Sequence, residues 1–137
     1  MAKVKVEEEF AGDSAAVWKL MSDFGGLKAW NPAMKSCEIE GEGVGAVRTI
    51  DMGGDIVIKE RLESLDDAAR TYTYSIIEAP LPAKGYLAKV VVSEPQPGRT
   101  KILWTSEFEP DGAPEADLVG LFEGIYKGGI EAIGKAV

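Results

Sequence analysis

Histidine is absent from this chain of 137 residues, and cysteine occurs once, at Cys37. The first absence removes Ser-His and Cys-His nucleophile pairs and every histidine-ligated metal site. The second removes any internal disulfide. Acid-base chemistry, if there is any, falls to carboxylates, Tyr, Lys or Arg. Cations are also in deficit: 15 Lys and Arg stand against 23 Asp and Glu, a formal net charge of -8. That balance disfavours docking on nucleic-acid phosphates, which takes clustered positive charge. No apolar run approaches the roughly 20 residues that span a bilayer. The N-terminal residues lack the basic region and apolar stretch of a secretory signal, so a reducing cytoplasm is the expected location.

What remains is the composition of a folded protein, 45% hydrophobic and 28% charged, of a length that suits one domain over residues 1–137. Residues 3–10 alternate, with Val4, Val6 and Phe10 on one face and charge on the other, which predicts a half-buried strand broken on its apolar face by Glu8. Asp13 or Ser14 can cap a helix whose buried stripe is Val17, Leu20, Met21 and Phe24. Trp18 falls to the side of that stripe, where it can pack against the outside. Gly25 and Gly26 then end the helix. A short second helix or turn over 27–30 stops near Asn31, because the residue before Pro32 is pushed out of helical geometry.

Turn residues then recur between six strand-like runs at about 35–40, 46–52, 56–65, 70–78, 85–94 and 100–109, the pattern of an antiparallel meander. A last helix begins at Pro114, with Glu115 and Asp117 favouring its positive end. Leu118, Leu121, Phe122, Ile125 and Ile133 draw its apolar face, and Gly129 on that face would leave a hollow against the sheet.

This arrangement resembles the START-like, or Bet v 1-like (SRPBCC), helix-grip fold, an α+β architecture in which a curved seven-stranded antiparallel sheet wraps a long C-terminal helix. Ser22-Asp23-Phe24-Gly25-Gly26-Leu27, Trp30-Asn31-Pro32, Gly45-Ala46-Val47-Arg48-Thr49, Glu60-Arg61-Leu62, Leu65-Asp66-Asp67, Leu81-Pro82 and Trp104-Thr105-Ser106 are similar to the bacterial polyketide cyclase/dehydrase group of that superfamily. The resemblance covers the whole chain. It implies an elongated cavity between sheet and helix, and no cofactor. Many members of the group carry His where this chain has Asn31.

Alternation assigns the inward faces of the strands. Ala46, Ile50 and Met52 carry Arg48 inward, and Ile56, Ile58 and Leu62 carry Glu60. If Met52 faces Ile56 across the Gly53-Gly54 turn, Ile50 lies opposite Ile58 and Arg48 opposite Glu60. Continuing through Asp66-Asp67 with Leu62 opposite Tyr72 sets Tyr74 beside Glu60. Arg48, Glu60 and Tyr74 would then form a polar row in an apolar pocket, the usual composition of a small-molecule site. A buried structural ion pair is the plain alternative. Tyr86 and Trp104 face inward, Phe122 and Tyr126 sit on or beside the helix stripe, and Trp30 lies at the lid. Converging aromatics with polar tips suit a flat ligand. The expected mouth gathers Gly53-Gly54, Leu81 between its prolines, residues 31–34 and the start of the last helix.

Two other patterns carry nothing. Gly41-Glu42-Gly43-Val44-Gly45-Ala46 matches a dinucleotide motif in letters, but a strand follows it where that motif needs a helix N-terminus. The acidic runs at Glu7–Glu9 and at Glu38, Glu40 and Glu42 have strand spacing and face solvent, so no metal site is expected. The first expectation is therefore a small hydrophobic ligand, aromatic, polyketide-like or lipid-like, held by Trp30, Arg48, Ile58, Glu60, Tyr74, Leu81, Tyr86, Trp104, Phe122 and Tyr126 in a monomer or weak homodimer. The second is a cyclase or dehydratase in which Glu60 or Tyr74 moves protons and Arg48 stabilises an enolate. The third is a protein-interaction module with a vestigial cavity.

Overall fold

The computed structural model describes all 137 residues. β1 (Ala2–Ala11), α1 (Ser14–Ser22) and a 3₁₀ helix (Phe24–Ala29) precede six strands: β2 (Ser36–Glu40), β3 (Val47–Gly53), β4 (Ile56–Asp66), β5 (Thr71–Glu78), β6 (Ala83–Ser93) and β7 (Arg99–Pro110). α2 (Glu115–Ala136) closes the chain. The strands form one antiparallel sheet in the order β1-β7-β6-β5-β4-β3-β2, a meander whose first strand returns to pair with its last.

β1 is tightly packed through Ala2, Val4 and Val6, while Glu8 on the same face is exposed. Asp13 caps α1 by accepting from the Ala15 amide. α1 stops at Ser22, two residues sooner than its apolar stripe suggests, and Phe24 opens the 3₁₀ segment that contains Gly25 and Gly26. The reason is a close approach: a Cβ on Gly25 would lie 2.8 Å from the Cβ of Ile39 on β2. The glycines therefore let this segment rest on β2. Trp18 is not on the outside. It is 7% exposed, its ring lies 6.0 Å from that of Tyr72, and its Nε1 donates to Asp67 at 3.0 Å. Arg70 donates to Ser14 at 2.7 Å and adds a second tie between α1 and the β4–β5 turn.

α2 packs mainly against β1 and to a smaller extent on β7, away from the middle of the sheet. Its buried face is Leu118, Phe122, Tyr126, Gly129, Ile130 and Ile133. Leu121 and Ile125, assigned to that face from their spacing, are exposed, because the helix leans to the β1 side and turns its Tyr126–Ile130 edge inward. Gly129 borders a hollow between helix and sheet, but the place of its missing side chain is itself filled. The indole of Trp104 occupies the space, with Cζ3 2.9 Å from where a Cβ would sit. That indole is fixed by stacking on Tyr126 (4.7 Å, 10°) and by donation to the Tyr74 hydroxyl at 3.1 Å.

A methyl group at position 129 must consequently displace a pinned ring, at a cost of about 1–3 kcal/mol for overpacking. Gly120, with open space around it, gains up to ~1 kcal/mol of helix propensity from the same change. Urea unfolding of Gly129→Ala and Gly120→Ala is expected to move in opposite directions. Equal stabilities would contradict this seating of α2.

Candidate functional site

Leaning α2 toward β1 keeps it from packing directly on β3, β4 and β5, and a cavity of about 780 Å³ lies between them. Its floor is Arg48, Ile50, Ile58, Glu60, Tyr74 and Ile76. Its roof is α2 over residues 122–136, and residues 27–34 form one wall. All ten residues expected to bind a ligand, Trp30, Arg48, Ile58, Glu60, Tyr74, Leu81, Tyr86, Trp104, Phe122 and Tyr126, line it. Leu27, Met34 and Ile76 belong to the wall as well. Ile76 was detectable, lying two residues beyond Tyr74 on the same face.

The mouth differs from expectation. Its exposed wall residues are Lys28, Ala29, Pro32, Ala33 and Met52, together with Gly124, Ile125, Gly128, Glu131, Lys135 and Ala136 of α2. It therefore opens between the 28–33 turn and the flank of α2. The start of α2 and the Gly53-Gly54 turn are not part of it, and half-buried Leu81 is.

Arg48 and Glu60 face each other across β3 and β4, and Ile50 faces Ile58, as the short hairpin implies. Met52 does not face Ile56. A bulge between Asp51 and Gly53 pairs Gly53 with Ile56 and leaves Met52 39% exposed. Further along, irregularities between Lys59 and Glu60 and between Leu62 and Ser64 shift the register. Leu62 thus pairs with Tyr74 and Glu60 with Ile76, so Tyr74 is not the direct neighbour of Glu60 and the single polar row becomes a staggered cluster.

The Arg48 guanidinium is nevertheless the centre of that cluster. Nε reaches Glu60 Oε1 at 2.8 Å, Nη2 reaches the same oxygen at 2.7 Å, and Nη1 donates to the Phe24 carbonyl at 3.2 Å. Its Cζ lies 3.9 Å from the Phe24 ring centroid and 5.1 Å from that of Tyr74, close enough for cation–π attraction. The side chains are 4% and 11% exposed. Burial opposes the Arg48 charge, but attraction to Glu60, helped by Tyr72 and Tyr74, outweighs it and raises the pKa. Arg48 therefore bolts the 3₁₀ segment to the sheet. Both of its contacts with Glu60 fall on Oε1, so Oε2 is the carboxylate oxygen left for anything inside the cavity.

A second network crosses from sheet to helix. Tyr126 donates to Ser106 Oγ at 2.7 Å and hydrogen-bonds Tyr86, so the Tyr86 hydroxyl is the donor between the two phenols. Tyr74 accepts from Trp104 Nε1, which leaves its own proton free. All four tyrosines of the chain are buried. Burial, with a smaller push from Glu60, drives Tyr72 up to about 12 and raises Tyr74 well above its ordinary value. Burial likewise drives Tyr126 to about 12 and raises Tyr86 further. These phenols are hydrogen-bond donors at neutral pH, not bases. Trp30 is 4% exposed, and its Nε1 has no hydrogen-bond partner. No group of three or more Cys, Asp or Glu side chains converges as an ion-binding set, and no helix is long and apolar enough to cross a membrane.

The family model for polyketide cyclase / dehydrase and lipid transport matches residues 1–137. Among solved structures, the XoxI protein of Bacillus cereus is 33% identical, with a TM-score of 0.91 over 99% of this chain and 95% of its own. Norcoclaurine synthase of Thalictrum flavum, solved with dopamine and hydroxybenzaldehyde, is 21% identical (TM-score 0.78; 98% of this chain, 84% of that one). A START superfamily protein of Mycobacterium smegmatis is 14% identical (TM-score 0.83; 100% and 97%). The last two share the fold. No curated protein matches the chain.

Two outcomes follow for stability. Arg48→Met strands the buried Glu60 carboxylate and is expected to cost about 3–5 kcal/mol in urea unfolding. Adding Glu60→Gln removes the stranded charge and should recover part of that loss; a double variant no more stable than Arg48→Met would show that the pair is not coupled. For the tyrosines, folded pKa values above the ordinary 10 mean that the folded state holds phenolic protons more tightly than the unfolded chain. Their contribution is complete below about pH 10 and disappears as pH rises through about 12. Phenolate absorbance is expected to appear together with unfolding, and a tyrosine titrating near pH 10 in folded protein would contradict the burial.

Proposed function

Because this chain belongs to the polyketide cyclase / dehydrase and lipid transport family, we propose that it binds one small hydrophobic molecule, flat and aromatic or lipid-like, between its sheet and α2. The observation that carries this reading is the cavity itself. At about 780 Å³ it falls within the ~300–1,000 Å³ typical of small-molecule sites, and apolar walls with a few convergent polar atoms are their usual composition. Norcoclaurine synthase, solved on the same fold with two aromatic molecules, supports an aromatic occupant by analogy of fold alone.

Binding is favoured over turnover by the state of the polar groups. An enolate-stabilising Arg needs donors directed at the substrate, yet three of the five N–H donors of Arg48 are already directed at Glu60 and the Phe24 carbonyl, which leaves one each on Nη1 and Nη2. Tyr74 stays protonated and is limited to donating. Of the three groups proposed for catalysis, Glu60 alone keeps an oxygen that can accept a proton. A module with a vestigial cavity would have its interior filled by side chains. Of the two exposed apolar residues one turn apart on α2, Ile125 borders the cavity mouth and Leu121 lies outside its lining. A cytoplasmic setting without nucleic-acid partners is what the single cysteine and the acidic balance support.

Filling the cavity tests the proposal. Ala132 is half-buried on its wall, and Ala132→Phe projects a ring into the space from a helix position that tolerates it. The affinity of phenylnaphthylamine, a neutral apolar fluorophore, is expected to fall at least about tenfold with the melting temperature maintained. Unchanged affinity in the folded variant would place binding elsewhere.

A further inference from the structure

β4 runs through the middle of the cavity floor, and its inward residue Glu60 is flanked on both sides by paired strands, β3 and β5. Glu60 is 8% exposed and lines the cavity, so what stays open of it faces the interior. Its two oxygens differ. Oε1 takes both contacts from Arg48, at 2.8 and 2.7 Å, and Oε2 accepts from no group of the protein. Nor is Oε2 sealed away: Trp30 Nε1 is the one buried side-chain polar atom that is both partnerless and closed off. An open carboxylate oxygen without a donor therefore looks into a mostly apolar space.

The neighbouring side chains do not supply that donor. The register shift sets Tyr74 opposite Leu62, and its hydroxyl is drawn to Trp104 Nε1, from which it accepts at 3.1 Å. Tyr86 donates to Tyr126 and Tyr126 to Ser106. Ile50, Ile58 and Ile76, the rest of the floor around Glu60, have nothing to donate. An apolar occupant that covered Oε2 without donating to it would strip a carboxylate oxygen of its hydration, so the site discriminates against such a molecule. A cationic donor is disfavoured for another reason. Arg48 already matches the Glu60 charge, and an ammonium on Oε2 would sit beside that guanidinium. Trp30, Tyr86, Trp104 and Phe122 on the other walls suit a flat ring. Resting on the cavity-binding reading above, we infer that the occupant is a hydroxylated aromatic molecule whose neutral O–H donates to Glu60 Oε2, which makes Glu60 the residue that selects it.

Naphthol, methoxynaphthalene and naphthylmethylammonium, substituted at the same ring position, place a neutral donor, a capped oxygen and a cationic donor on one ring system. The extra methyl group makes the ether more hydrophobic than naphthol, so burial alone favours it. A hydroxyl donating to Oε2 reverses that order. Calorimetry at neutral pH is expected to give naphthol an affinity at least about tenfold above that of the ether, the value of a hydrogen bond to a charged group, and above that of the ammonium. In wild-type protein with isotope-labelled glutamate carboxyl carbons, naphthol should shift the Glu60 magnetic resonance signal further than methoxynaphthalene, whose ring reports proximity alone. Glu60→Gln should reduce the preference for naphthol to less than about threefold while the ether binds as before or more tightly, a change of selectivity that loose folding would not produce. Should that variant fail to fold, the wild-type affinities and the Glu60 signal decide the matter.

Naphthol bound no more tightly than methoxynaphthalene, a Glu60 signal that responds equally to both, or tighter binding of the ammonium overturns this inference and leaves the cavity reading standing. Binding of none of the three overturns both.

Discussion

The interior of this protein is shaped by one close approach, the indole of Trp104 lying under Gly129. A helix bearing a side chain there would ride higher or shift along the sheet. With glycine, Trp104 sinks to 2.9 Å from the missing Cβ position while stacking on Tyr126 and donating to Tyr74. Three fixed contacts on one ring hold α2 at the β1 and β7 side. The sheet extends beyond those two strands by five more, and three of them, β3–β5, become the floor of a cavity. A void of this size forfeits dispersion contacts that a packed core would make, so its persistence in so small a protein is consistent with a site kept for an occupant.

Polarity within that space is arranged so that charge cancels and donors remain. Arg48 and Glu60 compensate each other, and Arg48 further ties the 3₁₀ segment to the sheet through the Phe24 carbonyl. Such a buried pair contributes little net stability compared with apolar packing, but losing either partner is costly. It therefore acts on geometry: it positions the wall that carries Trp30 and keeps the interior electrically neutral. The tyrosines follow the same logic. Burial holds them protonated, so Tyr86, Tyr126 and Ser106 form a hydrogen-bonded link between sheet and helix instead of a set of titrating groups.

How much of this was legible in the residues depended on distance along the chain. The Arg48–Glu60 pairing could be read because a tight glycine turn joins β3 to β4 and alternation does the rest. Tyr74 was placed in the right cavity but the wrong register, since two irregularities in β4 each shift the pairing without leaving a compositional mark. Leu121 and Ile125 looked buried by spacing, yet the face a helix buries depends on where it sits over the sheet, which periodicity does not encode. Trp18 was misplaced for a similar reason: its partner Asp67 lies 49 residues away. The unsatisfied Trp30 N–H had no signal at all in sequence, because an absent partner is a property of the assembled wall.

Native mass spectrometry of the protein isolated from its own host addresses the central claim, an interior void kept for a small molecule, most directly. The account predicts a small apolar compound bound one per chain and released on unfolding. A chain that arrives at its bare mass, and stays there after exposure to an extract of that host's apolar metabolites, would contradict it.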